Sequence, residues 1–440
     1  STGADNTAVG SGALDANTTA DANTAIGYNA ATALVTGGYN VALGHSALLN
    51  NATGVNNVAI GYQTLNNNAS PTANVAIGYR ACKNNNSNYG VFIGDRAASN
   101  GIVGGEKNVA VGHYSLFSLT TGAYNVAIGA NTLDDNTTAS NNTAIGNAAL
   151  STNISGANNT AVGADALKLN TGGDNTAVGS IALDANTTGY DNVAVGRNAL
   201  GQNTTGAVNT AVGNSALANN TTASNNTAVG NAAMLTANGA QHSTAVGRRA
   251  LYELTTGNYN TAVGSASQYN TTTGVSNTSM GIDSLKQLTT GSYNVAIGGN
   301  CLDALTTASH NTAIGYAASG AITTGDRNTS LGHDALASCT TGSMNVAIGA
   351  RAMITGTGSN NVIIGKSAGE AANFTGGNNV VIGYYAGSSL SGGAQNVAIG
   401  SYALDAATTA TPCVAIGYNA LGANTTGTSN TAIGEGACLS

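Results

Sequence analysis

The chain has 440 residues, a net charge of only −7 and charged side chains at 7% of positions. So little positive charge leaves no basic patch for phosphates, which argues against nucleic acid as a partner. No apolar run of about eighteen residues exists to span a bilayer, and the periodic placement of the hydrophobic residues argues against disorder.

One string dominates. Asn-(Thr/Val)-Ala-(Val/Ile)-Gly, or a close variant, recurs twenty-six times, from Asn6–Gly10 to Asn430–Gly434. The spacing is seventeen residues, with slips to sixteen or eighteen only around Gly94, Gly179 and Gly365. A period this short leaves room for one solenoid turn per repeat. The expected fold is all-β: a parallel β-solenoid, or β-roll, running through residues 1–440 as one repeat domain. No capping repeat is visible at either end, so the chain is expected to be a segment of a longer fibre.

Repeat positions are counted from one at the leading Asn. That Asn occurs in twenty-three copies, with Gly90, Ser243 and Cys413 as substitutes. It suits a left-handed corner and can stack into an amide ladder. Position two is Thr or Val and position four is aliphatic or Met. This pair at i and i+2 predicts a short strand with both residues buried. Position three then points to the opposite face. It is Ala in twenty-one of twenty-six copies; Phe92, Ser279, Ser330, Ile363 and Val381 are the exceptions. Position five is always Gly. A face held to Ala and Gly points to a second surface pressed against it. Ala8, Ala25, Ala42, Ala59, Ala76, Ala127, Ala144 and Ala161 are therefore the expected subunit-packing row of a homo-oligomer.

Positions eight and nine, mostly Ala-Leu, predict a second strand whose Leu closes the interior. Positions twelve to fifteen, often Asn-Thr-Thr-Gly, predict a return loop. Its Gly is expected to supply a backbone conformation that other residues resist.

Reactive side chains do not converge. His45, His113 and His333 share position six but lie four or more coils apart, so no metal site is expected. Asp15, Asp134, Asp184, Asp303 and Asp405 share position ten, never in adjacent coils, which argues against paired-carboxylate catalysis. Cys82, Cys301, Cys339, Cys413 and Cys438 show neither metal-ligand nor disulfide spacing and read as small hydrophobes. No catalytic set and no cofactor site is expected. Tyrosine is the residue best placed for recognition. Tyr28, Tyr62, Tyr79, Tyr316, Tyr384 and Tyr418 occupy position six. Tyr39, Tyr124, Tyr259 and Tyr293 occupy position seventeen. Such rings can contact glycans or proteins, or simply cover the strand ends.

The motif Asn125-Val-Ala-Ile-Gly129, like Asn311-Thr-Ala-Ile-Gly315, resembles the head repeats of trimeric autotransporter adhesins. The longer string Asn142-Thr-Ala-Ile-Gly-Asn-Ala-Ala-Leu150, with its downstream Thr-Thr-Gly pattern, is similar to repeat regions of phage tail fibres. The resemblance implies a left-handed, homotrimeric fibre at a virion surface or outside a cell. It implies a non-enzymatic shaft or receptor-contacting rod whose partners are sister chains and a host-surface glycan or protein. A self-assembling extracellular filament is the alternative. An ice-binding solenoid ranks below both, because the expected Thr ranks do not share one face.

Overall fold

A computed structural model describes residues 2–67 and 70–438. The fold is all-β, a parallel β-solenoid of about 25 coils with no helix among the described residues. The chain forms two compact units, Ser1–Thr222 and Ala223–Ser440. In the first, a three-residue strand recurs once per coil from Thr7–Val9 to Thr210–Val212. In the second, the same element runs from Thr227–Val229 to Thr431–Ile433. Each strand pairs in parallel with its equivalent one coil on. Thus Thr24 pairs with Val41, Ala25 with Ala42 and Ile26 with Leu43.

The strand faces are the reverse of the sequence expectation. Position three points into the coil: Ala25 is 0% exposed, while its neighbour Ile26 is 37% exposed. Ala42, Ala59, Ala76, Ala127, Ala144 and Ala161 are likewise buried inside their own chain, and only Ala8, in the first coil, is exposed. The expected subunit-packing row is therefore an interior row. Positions two and four face outward. The physical reason is room. Four residues of each coil, at positions five, seven, nine and seventeen, have positive φ. The chain turns so tightly that only Ala fits opposite the buried Leu of position nine. Val and Ile serve the strand by β-propensity, half shielded by the coils above and below.

All five exceptions at position three confirm the inward direction, because each is matched inside the coil. Phe92 is buried, and a Cβ at Gly90 would lie 2.3 Å from its ring. Gly90 thus stands where other coils carry Asn. Ile363 and Val381 are both met by Gly at position nine in place of Leu. A Cβ at Gly369 would lie 3.3 Å from Ile363, and one at Gly387 would lie 3.3 Å from Val381. Ser279 accepts a hydrogen bond from Gln268 Nε2 at 2.9 Å. Ser330 pairs with Ser319 at 2.8 Å. Gln268 and Ser319 again occupy position nine.

Positions eight and nine form no strand. Leu48 and its equivalents sit in a turn at φ near +53°. An L-residue there costs about 1–2 kcal/mol, which full burial of Leu, worth roughly 1.5–3 kcal/mol, offsets. The position-five glycines are required twice over. Gly27 has φ of +139°, and a Cβ on it would lie 2.5 Å from the Gly44 carbonyl oxygen. The loop glycines at position fifteen lack that feature. Gly54 is needed for close stacking, since a Cβ would lie 2.2 Å from the Pro71 oxygen.

The leading Asn forms the amide ladder. Asn40 Oδ1 accepts from both the backbone N–H and the side-chain amide of Asn57, at 3.0 Å each. Asn57 Nδ2 also donates to the Pro71 carbonyl at 2.8 Å. The left-handed residue is its predecessor at position seventeen, as at Asn56 and Tyr39. Ladder and Leu row together fix the register of successive coils.

Candidate functional site

The outer surface is built by the two corners that flank the strand. At position six the backbone has just left the Gly bend, so the side chain emerges beside the strand end. Equal spacing then stacks position six of one coil on position six of the next. Tyr28, His45, Tyr62 and Tyr79 form one such column, with ring centroids 5.0, 5.2 and 5.3 Å apart. Tyr62 and Tyr79 lie nearly parallel, at 9°. The column joins three of the expected recognition residues and adds His45. A metal-ligand reading of His45 does not reveal that role; the run Tyr, His, Tyr, Tyr at successive sixth positions is the signal that does.

The other three Tyr belong to the second unit. Tyr316 stacks on His333 at 5.6 Å. Tyr384 packs edge-on to Tyr385 and Tyr402, and Tyr402 meets Tyr418 at 6.1 Å. Burial and the neighbouring Tyr384 hydroxyl raise the Tyr402 pKa. This cluster draws on position seven as well as six, a mixing that a single-position reading does not reveal. Tyr28, Tyr62, Tyr79, Tyr316, Tyr384 and Tyr418 are all exposed.

At position seventeen, His242 stacks on Tyr259 and Tyr293 on His310, both at 5.2 Å. Tyr39 stands 67% exposed, and Lys107 Nζ lies 5.1 Å over the Tyr124 ring. A third stack lies at position ten, where Tyr252 and Tyr269 are 4.9 Å apart. Beside it is a cavity of about 320 Å³ lined by Arg248, Arg249, Tyr269, Asp283 and Lys286. Its Lys286 is paired with Asp283 at 3.2 Å.

Stacking turns the ring faces toward one another, so these columns present ring edges and hydroxyls with cationic groups beside them. That chemistry binds by hydrogen bonding and by edge contacts. Among the described residues no group of three or more His, Cys, Asp or Glu could hold a metal ion. Cys82, Cys301, Cys339 and Cys413 are buried and Cys438 is exposed. Burial pushes the Cys301 thiol up to about 12 and the Cys339 thiol up to about 11, so neither forms the reactive thiolate at neutral pH. Four of the five position-ten aspartates are half-buried, and Asp15 is exposed. Asp134, Asp184, Asp303 and Asp405 all have raised pKa values, first through desolvation. Among the described residues no helix is long and apolar enough to cross a membrane.

Neither a protein-family model nor a curated protein sequence matches the chain.

Proposed function

We propose that the chain is a non-enzymatic attachment fibre segment, a homotrimer displayed outside a cell or on a virion, whose aromatic columns meet a host-surface glycan or protein. Left-handed winding belongs to the same reading and rests on the resemblance to adhesin heads and tail-fibre repeats. The observation that carries the proposal is the outward strand face. In the first unit it presents Ile128, Ile145 and Val178, and in the second Val246, Ile297 and Ile314, all more than a third exposed. Scattered apolar residues on a surface are ordinary, whereas an in-register stripe of them marks an interaction face. A sister chain has the same axial period and can meet every coil in turn. The contact that the Ala row was expected to make is thus reassigned to positions two and four.

Light scattering of the purified chain tests this. A mass near three times 42.8 kDa is expected, with Ile128→Glu plus Ile297→Glu lowering it to that of one chain. A stable, soluble monomer of the unaltered chain overturns the trimer. Binding to intact host cells by the trimer, lost on Tyr62→Ala plus Tyr79→Ala, tests the attachment role.

A further inference from the structure

Ten of the twelve Lys and Arg residues occupy positions six, seven or ten of the repeat. They are not spread evenly. Arg80 and Arg96 at position seven, with Lys83 at position ten, line one depression of about 240 Å³ in the first unit. Asn84, Asn100 and Phe117 complete its wall, and no carboxylate lines it. It lies where the period slips to sixteen and then eighteen residues, so the surface departs from the regular coil.

The three cations differ from three of the other seven at these positions, which are ion-paired. Lys168 is paired with Asp165 at 3.0 Å, Lys286 with Asp283 at 3.2 Å and Arg351 with Glu370 at 2.5 Å. Among the described residues, Arg80, Lys83 and Arg96 form no ion pair. Neutral groups hold the guanidiniums instead. Arg80 Nε donates to Gln63 Oε1 at 3.2 Å, and Arg96 donates to the Tyr114 hydroxyl. Asp95 precedes Arg96, and its carboxylate lies 3.6 Å from His113 Nε2. Arg80 and Arg96 also sit 5.1 and 5.6 Å over the Tyr79 ring, the last of the Tyr28–His45–Tyr62–Tyr79 column.

We propose that this depression binds the anionic group of an acidic saccharide, while the adjoining Tyr62–Tyr79 stack meets the rest of the sugar with its ring edges and hydroxyls. The volume is below that of sites for drug-sized ligands and suits one small anion. Fixed guanidiniums bind a carboxylate or phosphate by charge-assisted hydrogen bonds. A nucleic acid strand would need a continuing basic track. Here the track stops: the adjacent coils carry Gln63 and Tyr114 at position seven, and Asn66 and Phe117 at position ten. The inference deepens the attachment reading and rests on it for its biological sense.

The test is calorimetric titration of the full chain with a short galacturonan, an equally long malto-oligosaccharide, a mannose-6-phosphate and a single-stranded DNA. Galacturonan or the phosphosugar is expected to bind, and the neutral sugar is not. Arg80→Gln, Lys83→Gln and Arg96→Gln should each weaken binding about tenfold, with unchanged thermal unfolding. Lys168→Gln, at the same repeat position as Lys83, should leave affinity unchanged. Equal affinity for the neutral sugar, equal loss in Lys168→Gln, binding of neither acidic sugar, or tighter binding of DNA overturns the proposal. Cell binding by the trimer is a separate readout, so failure of this site is distinguishable from failure of the attachment role.

Discussion

The two units share one backbone plan and fill it differently. Position twelve points inward in both. In the first unit it is mostly Asn, as in Asn136, Asn153, Asn170, Asn186 and Asn203, with Leu34, Gly101 and Leu119 as interruptions. In the second it is mostly apolar: Leu254, Leu288, Leu305, Ile322, Cys339 and Leu390. The Asn side chains bond the return loop, as when Asn153 Oδ1 accepts from Gly156 N–H at 3.0 Å and its Nδ2 donates to the Gly156 carbonyl at 2.8 Å. They also link coils. Asn186 Nδ2 donates to Asn170 at 2.6 Å, and Asn203 to Asn186 at 2.8 Å. The lesson is that a thin coil can be closed by satisfied amides or by apolar burial. The two solutions answer differently to substitution, because a hydrogen bond adds about 1 kcal/mol net and a buried Leu roughly 1.5–3 kcal/mol.

The largest effect should come from the apolar solution. Leu305→Ala in the second unit is expected to cost about 3 kcal/mol, transfer and cavity terms together. Asn203→Ala in the first should cost about 1–2 kcal/mol, since it strands the Asn186 and Asn220 amides that it bonds. Amide exchange in the flanking coils measures both locally, which a repeat array requires. Replacing Asn170, Asn186, Asn203 and Asn220 together by Leu should cost less than Asn203→Leu alone, because no amide is then left stranded. A joint cost equal to four single costs would erase the distinction between the units.

A smaller effect sharpens the comparison at position three. The first unit departs from Ala there only at Phe92, the second at Ser279, Ser330, Ile363 and Val381. Volume matching predicts that Val381→Ala costs about 2 kcal/mol, and that Gly387→Leu alone is destabilising by overpacking. The double substitution restores the common Ala/Leu pair and should recover most of the loss. Additive losses in a chemical-denaturation double-mutant cycle would show that the two sites do not share one cavity.

These pairs also explain what the sequence could and could not convey. The period alone points to a parallel solenoid, because seventeen residues leave room for one coil per repeat. The direction of the strand was harder. Val-Ala-Ile alternates perfectly, and hydrophobicity favours burying Val41 and Leu43 rather than Ala42; the coil is too narrow for that. The deciding signal lay in covariation within the repeat. Ile363 and Val381 appear with Gly at position nine, and Ser279 and Ser330 with Gln268 and Ser319. The aromatic column was visible at position six. The basic depression was not, since it gathers positions seven and ten from coils of irregular length, and only stacking brings Arg80, Lys83 and Arg96 together.

The smallest difference is electrostatic, and it separates Asp134 in the first unit from Asp303 in the second. Both occupy position ten, and desolvation raises both. Asp134 also faces the charge of Asp135 and is pushed up to about 6. Asp303 meets the Asp283 charge, which adds to the rise, and Lys286, which opposes it. A carboxyl whose folded pKa exceeds its unfolded value binds its proton more tightly in the native state. Between the unfolded value near 4 and the folded value of about 6, stability therefore falls as pH rises. Above that window the cost of the buried charge is fully present. Asp134→Asn should then stabilise the chain at pH 7 by about 1 kcal/mol, discounted because the group still meets water. The gain should vanish near pH 4, where the native carboxyl is already neutral. Asp303→Asn should show the same sign with a smaller gain. Denaturant midpoints of the two variants across this pH range make the measurement. Equal gains would mean that desolvation alone sets both groups and that the Asp135 and Lys286 charges are screened away.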